Sequence, residues 1–144
     1  MADIKIATGV EKININDKVT LEFNPTDAEI VEKIFDVFNG LEDRQRKYQA
    51  EVEKNANKKE IFEIARRESN EMRDTIDSLF GVPLCTPLFG SMNVLALADG
   101  LPVWSNLMLG IIDQIDTTFA REQKATNPRI KKYMEIFEAD RKST

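Results

Sequence analysis

Twenty-one consecutive residues, Ser78 to Ala98, carry no charge in a chain where 31% of all residues do. The run reads SLFGVPLCTPLFGSMNVLALA and holds two copies of Leu-Phe-Gly. Its length is that of a bilayer span. Gly81, Pro83, Pro87 and Gly90 nevertheless break the continuous helix that a bilayer demands. From Asp74 to Ala120 there is no basic residue to anchor an end, against five aspartates. No membrane partner is expected. Leaving Leu79, Phe80, Leu84, Leu88, Phe89, Leu97, Leu101 and Trp104 all wet would sacrifice on the order of 15 kcal/mol, at about 1.5–3 kcal/mol for each large apolar side chain. The run must be covered by its own chain, by a partner, or by both.

The remaining composition limits the chemistry. There is no histidine, so no Ser-His or Cys-His pair can form and the common zinc sites lack their ligands. The six glycines are scattered and make no phosphate loop. Glu60/Glu63 and Asp74/Asp77 sit three apart on predicted helix faces that also carry Arg66, Arg67 and Arg73, and they read as solvated surface with local ion pairs. Paired carboxylates or a lysine nucleophile remain open as chemistry, and a carboxylate–metal enzyme using residues such as Asp74, Asp77, Asp113 and Asp116 is the catalytic alternative. The expectation is no enzyme, no cofactor and no metal. A net charge of −5 argues against a nucleic-acid partner, which requires basic surface. No basic stretch followed by an apolar run opens the chain, so no signal peptide is expected. The single Cys85 reads as a small buried hydrophobe and suits a reducing cytoplasm.

A chain of 144 residues is expected to form one mainly α domain that can bury roughly 70% of its unfolded surface. Residues 1–25 carry a small β-hairpin. There KINI and KVTLEF alternate around a turn at Asn16-Asp17, with Ile13, Ile15, Val19, Leu21 and Phe23 toward the inside. Residues 26–80 read as helical. Thr26 and Glu29 have capping-box spacing, Ile30, Val31, Ile34, Val37 and Phe38 recur at helical intervals, and Asn39-Gly40 is a predicted stop. A charged helical middle from Leu41 to Lys59 leads into a helix from Glu60 to Phe80, closed by Gly81. Residues 81–101 are the apolar, turn-rich segment, in which Ser91 is expected to cap a short helix MNVLALAD. Residues 102–141 hold the last two helices. Trp104, Met108, Ile111, Ile115 and Phe119 form one stripe of the first, widened by Leu107 and Ile112, and Asn127 caps the second. Ile130, Tyr133, Met134 and Phe137 are expected on one side of that final helix.

In order and spacing, ININDKVTLEFNPTDAEIVEKIFDVF, TIDSLFG, PLFGSMNVLALADGLPVW and LMLGIIDQIDTTF resemble the tail assembly chaperones of long-tailed phages and prophages of Gram-positive bacteria. The resemblance covers about residues 11 to 122. One departure is the proline-rich VPLCTP between the two Phe-Gly elements. The resemblance implies a non-catalytic assembly factor in the host cytoplasm that binds the tape measure protein, shields its apolar helices, and leaves before the virion is complete. A structural tail or head-tail completion protein that stays in the virion is the alternative. The density of apolar side chains in the uncharged segment centres the expected partner surface on Phe80, Leu88, Phe89, Leu101 and Trp104. The edge of the hairpin is available for homo-oligomer contacts.

Overall fold

In the computed structural model, residues 1–55, 57–125 and 127–143 are described, without the side chains at positions 130, 131, 133, 137 and 140–143. Strands β1 (Glu11–Ile15) and β2 (Val19–Phe23) pair antiparallel, with Ile13 opposite Leu21. The long helices α1 (Ala28–Lys54) and α2 (Lys58–Phe80) follow. Next come the short α3 (Cys85–Phe89), the two-residue strands β3 (Leu97–Ala98) and β4 (Leu101–Pro102), and helices α4 (Val103–Lys124) and α5 (Pro128–Ser143). The fold is mainly helical with a small N-terminal β-hairpin, as the periodicities predict.

The first hairpin forms where alternation meets a suitable turn. Asn16 and Asp17 both adopt positive φ, 55° and 56°, which asparagine and aspartate tolerate better than most residues. The Asn14 carboxamide accepts from the Asp17 amide at 2.9 Å. Leu21 and Phe23 are buried, and Ile13, Ile15 and Val19 pack on the same core.

Two helix boundaries differ from the sequence reading. Asp27, not Thr26, is the N-cap of α1, accepting from the Glu29 amide at 3.0 Å. Thr26 instead donates through both its amide and its hydroxyl to the Asn24 side chain at 2.8 Å. The helix also runs straight through Asn39-Gly40 to Lys54. A glycine inside a helix costs about 1 kcal/mol, less than the burial of Leu41, which is 1% exposed, returns. The stop comes at Asn55, whose side chain bonds back to the Glu51 carbonyl at 3.0 Å. Asn57 then caps α2.

Helix α1 packs along α2 and against α4. Ile34 and Leu41, Met72 and Ile76, and Trp104, Met108, Ile111 and Ile115 fill the space between them. Arg44 of α1 pairs with Glu68 at 2.9 Å and with Glu71, both on α2. Phe119, expected on the buried stripe, is 45% exposed. In α5 the Asn127 cap accepts from the Arg129 amide at 3.0 Å and Met134 is exposed. The expected partners Ile130, Tyr133 and Phe137 lie outside the described side chains.

The uncharged run is held by a polar ladder on α2. Residues 65, 69, 73 and 77 recur every four positions and so share one helix face. The Asp77 carboxylate accepts from the amides of Leu84 and Cys85 at 2.8 and 3.0 Å. The Arg73 guanidinium donates to the carbonyls of Met92, at 2.7 Å, and Gly90. The Ser69 hydroxyl accepts from the Val94 amide at 3.0 Å, and the Ala65 carbonyl accepts from Asn93 at 3.0 Å. A segment without regular structure buries backbone groups that need partners, and α2 supplies them. Leu84, Cys85, Leu88 and Val94 can then turn inward.

The expected helix MNVLALAD does not form. Met92 to Ala96 are turns and irregular chain, and Leu97 to Pro102 make a second hairpin around Asp99 (φ 53°) and Gly100 (φ 78°). Two consecutive positive φ values are the mark of a tight hairpin turn, for which Asp-Gly is a preferred pair.

Candidate functional site

An open cleft of about 470 Å³ lies between the first hairpin and α4, closed at one end by α3 and β3. Ile13, Asn14, Ile15 and Asn16 form one wall, Leu107, Gly110, Ile111 and Gln114 the other, and Leu88, Phe89 and Ala98 the end. None of its lining residues carries a charge. Successive residues of a strand point to opposite faces, so a cleft lined by four in a row meets the edge of β1 as well as one face.

The walls are fixed by contacts outside the cleft. Glu11, at the start of β1, accepts from the Thr118 hydroxyl at 3.1 Å and pairs with Arg121. That tie docks the strand along α4. The hydrogen bond from Arg121 holds the Glu11 carboxyl below the usual glutamate range, against the opposing effect of its partial burial. Gly110 leaves the α4 wall without a side chain, and a Cβ there would meet nothing within 4 Å. Within the lining itself, Asn106 donates to the Ala98 carbonyl at 2.8 Å and anchors β3.

The five residues expected to form one partner surface separate in the fold. Leu88 and Phe89 line the cleft. Leu101 pairs across from Ala98 on the neighbouring hairpin and is 39% exposed. Phe80 is half-buried, its ring 5.7 Å from that of Phe23. Trp104 is a core residue, 2% exposed, with its ring 6.1 Å from Phe38 and its indole nitrogen donating to Gln45 at 2.9 Å. Its low exposure removes it from any surface that the folded monomer offers. Leu97, at 73% exposure, pairs with Pro102 and points to the other face of that hairpin from Leu101. The wall residues Ile13, Leu107 and Gly110 were expected in the core or as punctuation. Only the tertiary approach of β1 to α4 makes them a site.

Of the ionisable candidates, Asp77 and Cys85 have structural roles. Asp77 is occupied by two backbone amides. Cys85 is buried and its thiol is pushed up to about 12, by burial first and by the Asp77 charge second. Among the described residues no group of three or more His, Cys, Asp or Glu side chains could hold a metal ion. No described helix is long and apolar enough to cross a membrane.

The model of a protein family described as a family of unknown function, DUF6673, matches residues 17–144. No curated protein and no solved structure matches the chain.

Proposed function

We propose that this protein, which belongs to the DUF6673 family of unknown function, is a non-catalytic phage tail assembly chaperone that binds and shields the tape measure protein while the tail is built. The observation that carries the reading is the uncharged cleft, with Leu101 exposed beside its lining residue Ala98 on the adjoining hairpin. Contiguous apolar surface of this kind marks an interaction site. An amphipathic helix can lay its apolar face in such a groove, with side chains at i, i+3 and i+4 as anchors. A long, helix-rich client presents that face repeatedly. The order of segments shared with tail assembly chaperones supports the choice of client. In this reading the protein acts in the host cytoplasm and is left out of the finished virion.

The test is co-expression with the neighbouring genes, purification of this chain, and mass identification of what accompanies it. Recovery of the tape measure protein by the wild type, and its loss from a folded Phe89→Asp/Leu101→Asp variant, are the expected results. Recovery of this chain alone would sink the reading. Stable presence of the chain in purified particles would replace it with that of a structural tail protein.

A further inference from the structure

The first ten residues form an arm that belongs to no described element and leaves large apolar side chains bare. Ile4 is 88% exposed and Ile6 is 77% exposed, with Lys5 between them. That is the alternation of a strand with one apolar face, and here neither face is covered. The cleft offers the matching half. Among the described residues β1 pairs only with β2, so its other edge has no strand partner. Ile13 and Ile15 have the same two-residue spacing as Ile4 and Ile6.

We propose that residues 2–8 of one copy lie as an added strand on the open edge of β1 in a second copy, seating Ile4 and Ile6 in its cleft. Strand addition to an exposed edge satisfies backbone groups, and pockets beside it read alternate side chains. Ile4 and Ile6 would continue the apolar face of Ile13 and Ile15 toward Phe89 and over Gly110. Seven extended residues span about 23 Å, ample for a wall of four, which spans about 13 Å.

The arm is steered away from its own cleft. Asn24, just beyond β2, donates to the Thr8 carbonyl at 2.9 Å. Gly9 packs so closely on the Asn24 side chain that a Cβ would sit 2.4 Å from its nitrogen, and its φ is +73°. The chain therefore leaves β1 past the end of β2, on the hairpin's other strand. A second copy has no such constraint. This inference does not rest on the client named above; arm and client would compete for one wall.

Sedimentation equilibrium on the full chain tests it. The wild type is expected to rise above its 16.4 kDa monomer mass as concentration increases. Ile4→Asp/Ile6→Asp, which changes only exposed side chains, and Gly110→Glu, which fills the cleft with a charge, should each stay monomeric while keeping wild-type circular dichroism. Mixed together, the two variants retain one good cleft and one good arm, and should associate as a heterodimer of about twice the monomer mass. A wild type that is monomeric throughout, arm substitutions without effect, or a mixture that remains monomeric would each overturn the proposal.

Discussion

The two hairpins of this molecule use the same turn chemistry to opposite ends. Both reverse direction through two consecutive residues at positive φ, Asn16-Asp17 in one and Asp99-Gly100 in the other. The first has five residues per strand and turns Leu21 and Phe23 into the core. The second has two residues per strand and leaves Leu97 and Leu101 in water. An isolated two-stranded hairpin is marginal in water, so each must be held from outside. Side-chain burial holds the first. Hydrogen bonds to its backbone hold the second: the Val103 amide to the Ala96 carbonyl at 2.7 Å, the Trp104 amide to that of Val94 at 3.2 Å, and the Asn106 side chain to that of Ala98. A hairpin held by its backbone has side chains free for another molecule.

The largest expected effect breaks the first hairpin and spares the second. Leu21→Ala should cost about 2–5 kcal/mol, as for other fully buried leucines. Leu97→Ala should stay within about 0.5 kcal/mol of wild type, as for exposed positions generally. Urea denaturation of the two variants measures both. Equal losses would mean that Leu97 is packed in solution and the contrast is false.

A smaller effect separates the turns. Gly100→Ala places a Cβ on a residue at φ 78° and should cost about 1–2 kcal/mol. Asn16→Gly relieves the corresponding position in the first turn and should be close to neutral. Thermal melts of the two variants compare them, and a neutral Gly100→Ala would show that the second turn relaxes freely.

The same contrast explains what could be read before the fold was known. The first hairpin was legible because a half-buried strand must alternate, and Ile13 to Phe23 do. The second has only two residues per strand, too few to show a period. There the apolar run from Val94 to Leu97 imitated a helix, and the Asp-Gly turn was the stronger signal. The helical stripe of α4 was legible through Ile115 and failed at Phe119, because the covered face there passes through Thr118, buried against Glu11, and leaves Phe119 outside it. Asn39-Gly40 misled because local propensity for a stop is weaker than the burial of Leu41. Of the cleft, Leu88 and Phe89 were visible as apolar residues near a turn. Its other walls depend on where β1 meets α4, and Trp104 was drawn to the surface by its neighbours in sequence when its own helix carries it inside.

Polar ties give the smallest and most discriminating comparison. The tie of the second hairpin is neutral: Asn106→Ala removes one hydrogen bond to Ala98 and should cost about 0.5–1.5 kcal/mol, with no dependence on pH. The tie of the first is ionic. The folded state holds the Glu11 carboxyl below its ordinary range through Arg121 and Thr118. A carboxyl with a lowered folded pKa stabilises fully above its unfolded pKa and loses that contribution as pH falls through the folded value. The stability difference between wild type and Glu11→Gln should therefore be steady near neutrality, shrink below the ordinary glutamate range, and vanish in stronger acid. Denaturant midpoints measured across that range for Glu11→Gln and Asn106→Ala put the two ties side by side. A Glu11→Gln difference as flat as that of Asn106→Ala would mean that Glu11 is not ionically held to α4, and that the β1 wall of the cleft is set by Ile13 and Ile15 alone.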